Sequence, residues 1–157
     1  MLGFPRSAHQ TAVDEFMMKA GQAVPTKPTE LSDQDRLLRA KLIYEEAMET
    51  IYFGLGVALK MVTEDGSSPE FYIPPGIKQN IEHIIDGCCD LKVVTTGTLS
   101  AIGIPDVRFQ KLVDDNNLQK FGPGGYRNEA GKWIKPPSHQ PPAINGMLIE
   151  LEGFLSE

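Results

Sequence analysis

Cysteine is nearly absent from this chain: Cys88 and Cys89 are the only two, and they are adjacent. Neighbouring cysteines cannot close a relaxed disulfide, so no oxidised framework is implied. Positive charge is also short, with 15 Lys and Arg against 21 Asp and Glu and a net charge of −6. With no basic run, duplex DNA and anionic lipid are poor partners. An anionic small molecule stays open if a divalent cation mediates the contact. No apolar run approaches the ~18 residues that a membrane span needs, and the first residues lack a signal-peptide core. The expectation is a cytoplasmic protein. Glu-x-x-His is missing as well, which removes the ligand pattern of a carboxylate-bridged di-iron bundle.

What is present is ordinary in bulk: 41% hydrophobic and 23% charged residues over 157 positions. That is enough for a single domain, 1–157, with a real core. Val13, Phe16 and Met17 give a short helix over Ala12 to Ala20, ended by Gly21. Pro25 and Pro28 mark an extended connector. Ser32 with Asp35 three residues on resembles a capping box, opening a helix to about Lys60 that Gly54 and Gly56 weaken. Thr63 to Pro75 reads as a loop, and a third helix should run from about Gly76 to Ile102. Pro105 suits the first turn of a fourth, reaching Asn117 or Lys120. Residues 121–142, rich in Gly and Pro, should wrap the surface as irregular or short extended chain. Asn145 to Leu155 fits an amphipathic terminal helix. The fold class expected is all-α, with a helical core over about 12–120.

Two acidic clusters carry the chemistry. On the second helix Glu45 and Glu49 share a stripe with Leu38 and Leu42, and Glu46 lies at its edge. On the third, Glu82, Asp86 and Asp90 follow one another at i, i+4 and i+8, and the stripe continues through Val93, Val94 and Gly97. From Glu49 to the expected helix end is about as far as from Gly76 to Asp86 at ~1.5 Å per residue, so an antiparallel hairpin brings the clusters level. Taken alone, either cluster is most simply a solvated face. Together, each running into apolar residues, they lack a stability motive, because like charges at i, i+4 cost ~0.2–0.5 kcal/mol per pair. A hard divalent cation removes the repulsion and prefers oxygen ligands.

Arg39 followed by Leu42-Ile43-Tyr44-Glu45-Glu46-Ala47-Met48-Glu49 resembles the opening signature of the all-α nucleotide pyrophosphohydrolases. These include the MazG-like proteins, the dimeric dUTPases and phosphoribosyl-ATP pyrophosphohydrolase. Asp86-Gly87-Cys88-Cys89-Asp90-Leu91 with Val93 to Thr98 is similar to their second-helix signature. Asn116 to Lys120 resembles a later segment, and Gly124-Gly125-Tyr126-Arg127 with Gly131 to Pro137 a MazG-like tail. Asp86 stands where many members carry Glu, Lys92 where an apolar residue is usual, and Asn116 where Ser is. The resemblance implies a four-helix core, assembly as a homodimer or homotetramer, and Mg²⁺-dependent cleavage (with Mn²⁺ as a substitute) between the α and β phosphates of a nucleoside triphosphate. It makes Glu46, Glu49, Asp86 and Asp90 metal ligands, and Glu45 either the ligand of a further metal or the residue that orients the attacking water. It places Asn117 and Lys120 on the nucleotide. The alternative from another class is a non-catalytic helical dimer serving as a binding or assembly module.

Overall fold

The computed structural model describes residues 3–61 and 69–156, with the backbone alone for Met61. The part of the expected loop that falls in 62–68 lies outside them. The chain is mainly helical and divides into two compact units, one of residues 1–29 with 102–157 and one of residues 30–101. Among the described residues no helix is long and apolar enough to cross a membrane.

The first unit holds α1 (Ala8–Lys19), α4 (Asp106–Leu118) and α5 (Ile144–Ser156). The Ser7 hydroxyl caps α1 by accepting from the Gln10 amide nitrogen and donates to Asp106 at 2.5 Å. One residue thus satisfies an orphan helix donor and ties two elements that lie far apart in sequence. Gln10, fully buried, repeats the device: its Nε2 donates to the Ile104 carbonyl, and its Oε1 accepts from the Asp106 amide, both at 2.8 Å. Val13, Met17, Ile104, Phe109 and Leu151 are the buried apolar side chains around this polar tie. Gly103 has φ +73°, and a Cβ there would run into the Lys27 carbonyl, so only glycine fits this corner. Lys120 and Phe121 lie in a single 3₁₀ turn after α4, followed by a two-stranded antiparallel ribbon, β3 (Tyr126–Arg127) with β4 (Trp133–Ile134).

The second unit is built on α2 (Asp33–Glu49) and α3 (Ile81–Ala101). Ser32 caps α2 as expected, accepting from the Asp35 nitrogen, while its own hydroxyl donates to the Asp35 carboxylate at 2.6 Å. The helix does not reach Lys60. It loosens into one π turn over Thr50–Gly54 and ends, with Gly56 at φ +66° turning the chain away. Ala58–Met61 then forms β1, paired antiparallel with β2 (Pro69–Tyr72). The third helix also begins later than expected. Asn80 fixes its start, its side-chain oxygen accepting from the amides of Glu82 and His83.

α3 lies against α2 and the π turn, and glycine sets the approach. A Cβ on Gly87 would collide with the Thr50 hydroxyl and stand 3.1 Å from the Thr50 Cα. A Cβ on Gly54 would stand 3.1 Å from the Ile84 backbone. Pairing 50 with 87 and 54 with 84 makes the two elements antiparallel. The expected helix ends were each several residues too far out, but by similar amounts. Five residues separate Glu49 from the end of the π turn, and five separate the start of α3 from Asp86. The two errors cancel, and the expected level of the clusters is kept.

Candidate functional site

The most enclosed line of α2 runs beside the stripe shared by Leu38, Leu42, Glu45 and Glu49. Arg39 and Thr50 are its buried positions, with Ile43 and Glu46 half-buried between them. These four follow one another at helical spacing, 39, 43, 46 and 50. Leu38, Glu45 and Glu49 are exposed beside it. Glu46, assigned to the edge, is therefore the carboxylate closest to the packed seam. The helix chose the face that carries small Thr50, because that is where the backbone of α3 can come close. A 3-4 spacing check on Arg39, Glu46 and Thr50 would have found it.

On α3, Gly87, Thr96, Gly97, Ser100 and Ala101 are buried, and Leu91, Val93 and Val94 half-buried. Asp86 and Asp90 flank Gly87 on exposed positions, as does Glu82 further out. With Thr50 opposite Gly87, one turn back on α2 is Glu46 and one turn on along α3 is Asp90 or Leu91, so Glu46 and Asp90 share a level.

The electrostatics agree with that register. Burial raises the pKa of Glu46 above the usual carboxylate value, and four neighbours push it further: Asp90 first, then Glu49, Glu45 and Asp86. Those are four of the five other carboxylates singled out in the sequence, Glu82 being the exception, and both helices contribute. The hydroxyl of Thr50, bonded to the Glu46 carbonyl at 2.7 Å, is not turned to the carboxylate. Glu45 has a cation of its own, the Lys41 ammonium 3.6 Å away on the same helix. Both members of that pair are largely exposed, so it contributes little.

In the conformations seen, no three His, Cys, Asp or Glu side chains among the described residues are close enough together to hold a metal ion. The donors nonetheless have the chemistry a hard cation takes: five carboxylates on two helices, four of them on exposed positions. The one that is half-buried is driven toward its neutral form by burial first and then by the rest. A divalent ion would reverse that drive.

The remaining candidates fall elsewhere. Arg39 is buried, and burial lowers its pKa while Asp35, four residues before it, works the other way. That is the behaviour of a structural arginine. His83 is exposed at the start of α3. Asn117 and Lys120 belong to the first unit, where the Lys120 ammonium donates to the Asn117 side-chain oxygen at 2.6 Å. Trp133 packs on Phe121 with ring centroids 4.9 Å apart, and its indole nitrogen donates to the Lys120 carbonyl at 2.7 Å. It braces the turn that carries Lys120.

No protein-family model matches the sequence, and no curated protein does.

Proposed function

We propose that the protein is a Mg²⁺-dependent nucleoside triphosphate pyrophosphohydrolase that releases the monophosphate and pyrophosphate. The observation that carries this reading is the gathering of Glu45, Glu46, Glu49, Asp86 and Asp90 on two antiparallel helices, where the pKa of Glu46 is raised by burial first and then by Asp90, Glu49, Glu45 and Asp86. A divalent cation would relieve the repulsion within such a cluster. The sequence resemblance supplies the reaction: the carboxylates occupy the positions where all-α nucleotide pyrophosphohydrolases carry theirs.

In this reading Glu46, Glu49, Asp86 and Asp90 hold the ion. Bound Mg²⁺ would neutralise phosphate charge and make a coordinated water more acidic. Glu45 orients the attacking water, with the Lys41 ammonium 3.6 Å away on the same helix. Lys120 supplies a point charge for phosphate oxygens, and Asn117 supplies neutral hydrogen bonds. Base and sugar selection belongs to pocket shape.

The working form is a homodimer or homotetramer. Within residues 30–101 the one apolar side chain fully buried among the described residues is Ala101, whereas Phe53, Ile73, Ile81 and Ile85 are each about 60% exposed or more. A unit of this size needs apolar burial to be stable, and a second copy can supply it. The same surface suits a non-catalytic assembly module. Pyrophosphate release from a panel of NTPs and dNTPs, in Mg²⁺ and in EDTA, separates the two. The enzyme reading expects Mg²⁺-dependent release that Glu49→Gln abolishes. No release from any nucleotide leaves the assembly module.

A further inference from the structure

The sequence has no basic run, yet the fold of the first unit collects cations that are scattered along the chain. Between Asn116 and Pro142 stand Lys120, Arg127, Lys132, Lys135 and His139, against a single carboxylate, Glu129, in a protein of net charge −6. The segment is folded back on itself. Asn116 donates to the Gln140 carbonyl at 2.8 Å. The His139 amide closes a turn on the Pro136 carbonyl, and Pro136 and Pro137 lie against Gly124, where a Cβ would stand 3.8 Å from each. Trp133 pins the Lys120 turn from the other side, and Gly125 has no room for a Cβ between the Trp133 ring and the Lys120 carbonyl. Lys120, Lys135 and His139 are thereby held around one small region.

Elsewhere Arg6, Lys19, Arg36, Lys41, Arg108 and Lys111 each have a carboxylate within 4.0 Å. Neither Lys120 nor Lys135 has one among the described residues, and the bond Lys120 makes is to a neutral amide. Their mutual effect is felt at His139, whose pKa lies below its ordinary value through desolvation first and then through Lys135 and Lys120. Like charges brought together without a counterion form a surface that an anion stabilises.

We propose that Lys135 and His139, carried by the folded-back tail, join Lys120 in an oligophosphate-binding site that takes the phosphates of a nucleotide. The proposal rests on the preceding functional reading for the class of anion, but not for the binding itself. Two ammonium groups grip non-bridging oxygens while the neutral imidazole gives one N–H bond. The exposed Tyr126 and Phe121 nearby also suit a single-stranded nucleic acid, whose bases stack on aromatic rings. The compact, turn-bound grouping of three donors favours a short oligophosphate over a long strand.

Inorganic triphosphate is the probe, titrated calorimetrically into the full chain in EDTA at low ionic strength. Saturable binding is expected. Lys135→Gln and His139→Gln should each weaken it roughly fivefold, with Lys78→Gln, an exposed lysine of the other unit, leaving it unchanged. Lys135→Arg, which keeps charge and packing, should retain it. In the unmodified protein, triphosphate should move the His139 ring-proton resonances, a readout that needs no variant to fold. Absence of binding, equal weakening by Lys78→Gln, or an unmoved His139 overturns the proposal. So does a single-stranded oligonucleotide that binds and is not displaced by triphosphate. Because the titration contains no metal, its failure leaves Mg²⁺-dependent hydrolysis standing, and loss of hydrolysis leaves this binding standing.

Discussion

Replacing Glu46 with glutamine keeps the shape and hydrogen-bonding capacity of the side chain and removes one charge. Four carboxylates act on that charge: Asp90, Glu49, Glu45 and Asp86. Like-charge neighbours on helices cost about 0.2–0.5 kcal/mol each, and most of this cluster is screened by water, so Glu46→Gln should stabilise the metal-free protein by about 1 kcal/mol. In a chain of this length that raises the melting temperature by about 2–4 °C. The pH dependence has a definite sign. Because the folded state raises the pKa of Glu46, it holds that proton more tightly than the unfolded chain does. The stability so gained is complete below the unfolded carboxylate value and is lost as pH rises through the higher folded value. The Glu46→Gln profile should be flatter across that interval. Thermal melts in EDTA and in Mg²⁺ at several pH values make the assay. Mg²⁺ should then invert the order, raising the melting temperature of the unmodified protein more than that of the variant. If Glu46→Gln melts lower in EDTA, or if Mg²⁺ raises both equally, the carboxylates do not form one interacting cluster.

Gly87→Val should destabilise by about 2–3 kcal/mol, because its side chain meets Thr50 where α2 and α3 come closest; pairing it with Thr50→Ala should recover part of the loss in denaturant melts. Gln10→Ala should cost about 2–3 kcal/mol, since it leaves the buried Ile104 carbonyl and the Asp106 amide without their side-chain partners; chemical denaturation reads it directly. Ile81→Lys with Ile85→Lys should shift sedimentation equilibrium toward the monomer, whereas an unmodified chain that already sediments as a monomer would refute self-association through that face.

The parts of the fold that were legible in sequence are those set by local chemistry. Ser32 and Asp35 punctuate a helix in a way that needs no tertiary context, and the Gly/Pro-rich stretch after Phe121 does form turns and a minimal ribbon. The end of α2 was not legible, because Ala58-Leu59-Lys60-Met61 has no alternation to distinguish a short strand from one more helical turn. Its identity as β1 depends on Pro69–Tyr72 arriving beside it. Which line of α2 is the most enclosed was not legible from its apolar residues, which lie on more than one side. The seam there is set by backbone approach at Gly87, and a small hydroxyl residue permits that approach where a leucine does not. The acidic residues were identifiable as a group; which of them is enclosed depended on that seam. The cations at 120, 135 and 139 were too far apart in sequence to register as a cluster, since only the turn at Pro136 and the bond from Asn116 bring them together.

Binding of Mn²⁺, followed by the loss of its free-ion paramagnetic resonance signal, tests the shared cation most directly. The account predicts saturable uptake by the unmodified chain, competed by Mg²⁺ and weakened about tenfold or more by Asp90→Asn or Glu49→Gln. Uptake that is as weak in the unmodified protein as in both variants would contradict it.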